Sequence, residues 1–147
     1  MRTILTITLY LIIFNISNTQ NITDKAGVEK ACMNYLEGFY EGDTSKLILC
    51  LQPSLNKFGF RKDKDSGEYT QRNYMTYDMA LSYAKNVLDK KRFAKKDDPK
   101  KVEILDIGNS IASAKVTAWW GIDYILLSKR GNKWMIEQVL WEGPLEK

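Results

Sequence analysis

The chain has 147 residues, 44% of them hydrophobic and 12% aromatic, which is enough for one domain with a proper core. Its 22 Lys+Arg against 18 Asp+Glu leave a net charge of +4, a mild excess without the dense basic stripe or recognisable module of a nucleic-acid binder. Histidine is absent, which excludes Ser-His-Asp triads, His-dependent dehydratase chemistry and His-metal sites; the two cysteines cannot make a standard zinc site alone, and the nine glycines form neither a phosphate loop nor a dinucleotide fingerprint.

Residues 1–20 read as a secretory signal rather than as part of the fold. Arg2 supplies a minimal positive start. Ile4 to Phe14 is an apolar run too short to span a bilayer, and Asn15 to Gln20 is small and polar. The alternative is a buried N-terminal strand or helix. No Cys follows the run, so no lipid anchor is expected. The mature domain, residues 21–147, is then expected in a periplasm or secreted, free of the membrane and in an oxidising space. The sequon Asn21-Ile22-Thr23 means little in a bacterial export.

Thr23-Asp24 starts a first helix whose apolar face is Val28, Ala31, Cys32, Tyr35, Leu36 and Phe39, at helical spacing. Gly42-Asp43 ends it, and Asp43 or Thr44 caps a short second helix with Leu47, Ile48, Cys50 and Leu51 as its apolar side and Pro53 as its limit. Cys32 and Cys50 fall on apolar positions about equally far from the intervening turn. They can form a disulfide or stay as two buried thiols. Leu55 to Phe60 and Glu68 to Arg72 read as a hairpin around a polar turn, Lys62 to Gly67, whose aspartates lack the rest of a calcium-loop pattern. Thr76 caps a third helix with Met79, Ala80, Tyr83, Ala84, Val87 and Leu88 on one face. The segment from Lys90 to Lys101 is strongly basic; it is either a solvated loop or a contact for an anionic partner.

The rest of the chain reads as a meander. Val102 to Ile107 is a β-branched strand closed by Gly108-Asn109. Ile111 to Trp120 alternates with a period of two, its even positions being Ala112, Ala114, Val116, Ala118 and Trp120. That face is mostly alanine, so either helices pack close upon it or a cavity remains. Ile122 to Lys129 runs apolar through Ile125-Leu126-Leu127, as in a strand covered on both sides. Arg130-Gly131-Asn132 is a hairpin signal, and Trp134 to Trp141 closes the set before Gly143-Pro144. Short turns force these neighbours antiparallel. The order is α+β, with three helices in the N-terminal half covering one face of a bent antiparallel sheet.

At this point the chain resembles the nuclear transport factor 2-like cone fold, and within it the small bacterial proteins named "putative lumazine-binding". The residues carrying the resemblance are Tyr35-Leu36-Glu37-Gly38-Phe39-Tyr40-Glu41-Gly42-Asp43, Ile111-Ala112-Ser113-Ala114-Lys115-Val116, Asp123-Tyr124-Ile125-Leu126-Leu127, and Gly131-Asn132-Lys133-Trp134-Met135-Ile136 running on to Leu140-Trp141. It covers nearly everything from Val28 to Trp141, and the basic segment before Lys101 departs from it. The resemblance implies a cone-shaped fold with a pocket between helix one and the inner sheet face. Tyr35, Tyr40, Trp120, Tyr124 and Trp141 are the pocket residues expected, and a homodimer is the expected assembly. Fold alone does not choose an activity.

Three readings follow. In the first, the domain binds a small apolar or aromatic molecule without transforming it, with no cofactor and no metal. In the second, the chain is an isomerase- or cyclase-like enzyme with Asp123 as base and Tyr35 or Tyr40 as hydrogen-bond donor, since a carboxylate in an apolar cavity titrates nearer neutrality. The alternative for Asp123 is a strand-end carboxylate, exposed or bonded to backbone. In the third, an exposed sheet face, with Trp119 at its edge, pairs the protein with itself or another.

Overall fold

The structure, a computed structural model, describes residues 23–145, and the side chain of Asn73 lies outside that description. The signal segment expected over residues 1–20 therefore lies outside the described residues. Helix α1 spans residues 23–41, α2 Thr44–Cys50 and α3 Tyr77–Asp89. Strands β1 Leu51–Lys62 and β2 Tyr69–Met75 form the first hairpin. Strands β3 Lys101–Ile107, β4 Ile111–Ala118, β5 Gly121–Arg130 and β6 Lys133–Gly143 form the meander. No helix among the described residues is long and apolar enough to cross a membrane.

The helices form where their apolar stripes predict. On α1, Val28, Ala31, Cys32, Tyr35, Leu36 and Phe39 are all buried, and the i, i+3, i+4 spacing puts them on the face that meets the sheet. Gly42, at φ +71°, ends the helix with the left-handed turn that glycine adopts freely. Asp43 then caps α2, its carboxylate accepting from the Ser45 N–H at 2.9 Å. Thr76 caps α3 in the same way, accepting from the Met79 N–H. Two local expectations fail. Leu51 belongs to β1, and Ile48 is exposed, because α2 buries only Leu47 and Cys50. Pro53 sits inside β1, where the pairing with β6 shifts register between Leu51 and Asn56, so its missing N–H costs no ladder bond there. On α3 the small residues Ala80 and Ala84 with Val87 face the core, while Met79 and Leu88 are exposed.

The sheet has six strands in the order β2-β1-β6-β5-β4-β3. The three helices pack on one face of this curved, unclosed sheet. It is mixed, not purely antiparallel: β1 pairs with β6 in parallel, Lys57 opposite Val139 and Gly59 opposite Trp141. A short turn dictates direction only for strands adjacent in sequence, and no turn joins β1 to β6. The even face of β4 is buried throughout (Ala112, Ala114, Val116, Ala118), which is close packing beneath the helices. Strand β5 is covered on one side only. Asp123, Ile125 and Leu127 point inward, whereas Tyr124 and Leu126 stand exposed on the outer face.

The basic segment is fastened rather than free. The Ala94 N–H donates to the Tyr40 carbonyl at 3.1 Å, Tyr40 Oη donates to the Pro99 carbonyl, and Lys100 pairs with Glu37 at 3.2 Å. Cys32 and Cys50 are both free, buried thiols, so the disulfide alternative is not realised. Burial pushes the Cys32 thiol up to about 12 and raises that of Cys50 as well.

Candidate functional site

Among the described residues, the inner face of the sheet where β1, β6 and β5 meet brings a lysine, a tyrosine and an aspartate together in the core. Period-two alternation puts Lys57, Gly59 and Arg61 of β1 on the same side as Asp123 of β5 and Trp141 of β6. Asp123 is directly paired with Trp141, and Trp141 with Gly59, so the three lie in one row across the sheet. Gly59 is there for clearance. A Cβ at that position would sit 2.5 Å from Trp141 Cδ1 and closer still to the Trp141 carbonyl oxygen. Glycine alone lets the indole lean over β1.

Asp123 is fully buried, and donors from two directions satisfy it. Tyr35 Oη, from α1, donates to Asp123 Oδ2 at 2.5 Å, and Trp120 Nε1 donates to Oδ1 at 3.0 Å. Lys57 Nζ donates to Tyr35 Oη at 2.6 Å and stands 3.6 Å from Asp123 Oδ2. Tyr35 is thus the hinge of a buried Lys57–Tyr35–Asp123 chain. Lys57 also lies over three rings, 5.3 Å from the centroid of Tyr35, 6.0 Å from Trp120 and 5.8 Å from Trp141. Burial raises the Tyr35 phenol well above its ordinary range, and the Asp123 charge adds to this, so Tyr35 stays a neutral donor. Burial lowers the Lys57 ammonium, partly opposed by Asp123.

In front of this chain opens a cavity of about 330 Å³. Phe39, Tyr83, Trp119, Trp120 and Trp141 wall it, Lys57 lies at its base and Arg61 at its exposed rim. No carboxylate is among its lining residues. The volume falls within the range of small-molecule sites, and the lining combines apolar area with a few fixed polar groups as such sites do.

The residues expected from sequence distribute unevenly. Trp120 and Trp141 line the cavity. Tyr35 and Asp123 lie one layer behind it, bonded to each other and to the lining residues. Tyr40 is a brace: its hydroxyl donates to Pro99 and accepts from the Trp119 N–H at 3.0 Å, holding the basic segment and the β4–β5 turn. Its ring still packs edge-on against Trp120 at 5.6 Å. Tyr124 does not belong to the pocket; the alternation that buries Asp123 turns its neighbour outward, where it is half exposed. Trp119 is half exposed yet reaches the cavity mouth. Lys57 and Arg61 were not foreseen. The available signal was a lysine on a strand between Leu55 and Gly59, in step with buried positions.

Residues 23–142 match the model of the family described as "Putative lumazine-binding". Among solved structures, the chain is similar to a nuclear transport factor 2-like protein of unknown function from Shewanella baltica OS155 (TM-score 0.61, 18% identity, 84% of this chain and 97% of that one). It is also similar to one from Silicibacter pomeroyi DSS-3 (0.59, 16%, 84% and 96%) and to one from Shewanella oneidensis MR-1 (0.55, 18%, 82% and 99%). A comparison with curated proteins found no match. With a family model running through the curved sheet and all three helices, the chain belongs to the "Putative lumazine-binding" family, and its fold is that of nuclear transport factor 2-like proteins.

Proposed function

We propose that this protein binds a small, planar, aromatic molecule that carries negative charge or strong hydrogen-bond acceptors, and that it does so in the cavity over Lys57. One observation carries the reading: an indole-walled cavity holds two basic side chains, Lys57 and Arg61, and no acid among its lining residues. Flat rings stack on indoles, and an anionic or carbonyl edge meets Lys57 or Arg61. The family's description names lumazine, a flat bicyclic heterocycle with carbonyl edges and an acidic N–H, which has that chemistry. Titrating tryptophan fluorescence with lumazine and with terephthalate tests it. Saturable quenching, weakened by Lys57→Met and by Trp120→Ala, is expected; strictly linear quenching by both would sink the proposal.

The carbon-acid reading with Asp123 as base has less support. Both Asp123 oxygens already accept hydrogen bonds, and Lys57 and Trp120 stand between it and the cavity. A homodimer through the outer sheet face is supported by Tyr124, Leu126 and Leu140, exposed on adjacent strands with Tyr124 directly opposite Leu140. Export is supported by the apolar run Ile4 to Phe14, and the N-terminus of protein recovered from expressing cells tests it.

A further inference from the structure

We propose that Lys57 is a nucleophilic amine and that the cavity captures an aromatic aldehyde or ketone as a Schiff base on its Nζ. This rests on the cavity being a ligand site, and adds the substrate class and the bond formed.

Three features of the geometry point there. Lys57 is the only lysine among the cavity's lining residues, and it is almost wholly buried. Its nitrogen makes its short bond, 2.6 Å, to the neutral phenol of Tyr35 and pairs more loosely with Asp123 Oδ2 at 3.6 Å. Tyr35, in turn, is 2.5 Å from Asp123, which gives an unbroken proton path from amine to carboxylate. Desolvation favours the neutral amine, the form with a lone pair to give.

The step balances without any further reactant. The Nζ lone pair attacks the carbonyl carbon; an N–C bond forms and the C=O π pair moves to oxygen. The nitrogen loses a proton to Tyr35 Oη as the Tyr35 proton moves to Asp123. Asp123 then returns its proton through Tyr35 Oη to the carbinolamine oxygen, which takes up the second amine proton as the nitrogen lone pair expels it. The C–O bond breaks, water leaves, and C=N remains. Trp120 and Trp141, already over Lys57, flank the aromatic ring of the adduct.

The test uses the full chain, 4-formylbenzoate and borohydride, read by intact mass and peptide mapping. A single reduced adduct on Lys57 is expected. It should form faster than on exposed lysines such as Lys90 and Lys91, whose amines burial does not favour in the neutral form. Terephthalate, which has the same shape without the aldehyde, should protect Lys57 in the unaltered protein, and Lys57→Arg should abolish the adduct if that variant folds. Adducts scattered over surface lysines, with Lys57 unmodified, overturn the proposal. If terephthalate still quenches tryptophan fluorescence saturably in that case, the binding reading stands and only the covalent step falls; if it does not, both fall.

Discussion

Tyr35 Oη and Asp123 Oδ2 lie 2.5 Å apart although 88 residues separate them in sequence. The bond ties α1 to β5 through the core, and Lys57 donates to Tyr35 Oη. Tyr35→Phe removes one donor from Asp123 and the acceptor from Lys57 while keeping the ring. Leaving buried polar groups short of partners costs about 1–3 kcal/mol. Urea unfolding should show a loss of that size, and the losses in Tyr35→Phe and Asp123→Asn should fail to add in the double variant because the two groups share one network.

Gly59 lies under Trp141. Gly59→Ala places a methyl where the indole and its carbonyl already are, so β1 and β6 must part or the ring must swing away. Overpacking of this kind costs about 1–3 kcal/mol. Thermal unfolding should shift down, and the cavity should lose its stacking wall, so quenching by an aromatic ligand should weaken more than in a Gly67→Ala control. Gly67 has open space around its would-be Cβ, although its φ of +73° carries some strain of its own.

Asp24 anchors the start of α1. Lys129 donates to its Oδ1, and so does Trp134 Nε1 at 3.1 Å. The bond from Lys129, with help from Trp134, holds the Asp24 carboxyl below the ordinary aspartate range. A carboxylate with a depressed native pKa adds stability that is full above its unfolded pKa and disappears as pH falls through its native one. Asp24→Asn should therefore lower the melting temperature at neutral pH and flatten its decline under acid. Parallel acid limbs in the two proteins would show that Asp24 does not titrate in this way.

Cys32 and Cys50 are buried, and burial raises both thiols, Cys32 to about 12. Only a thiolate reacts quickly with disulfide reagents. Native protein should leave both thiols unlabelled at pH 8, with both reacting once urea unfolds the chain. Labelling of either thiol at the rate of a free cysteine would contradict the packing around α1 and α2.

The outer sheet face exposes Tyr124, Leu126 and Leu140. If two copies meet there, Leu126→Glu should shift sedimentation toward monomer at unchanged melting of the separated chain. A wild-type monomer at high concentration would end that reading.

The amino-acid sequence alone decides a good deal here, because the decisive forces are local. The stripe from Val28 to Phe39 makes α1, and Asp43 and Thr76 set where α2 and α3 begin. The short turns of the meander fix its antiparallel order. What only the tertiary structure decides involves residues far apart in the chain. The parallel pairing of β1 with β6 obeys no turn, so Lys57 could not be placed beside Trp141 and Tyr35 beforehand. Nor could Asp123 be known as a satisfied buried carboxylate rather than a free base, since its donors come from α1 and from the turn before β5. Tyr124 shows the limit at one residue's scale: the apolar run of β5 reads as a strand covered on both sides, and only the packing of helices on one face turns Asp123 inward and Tyr124 outward.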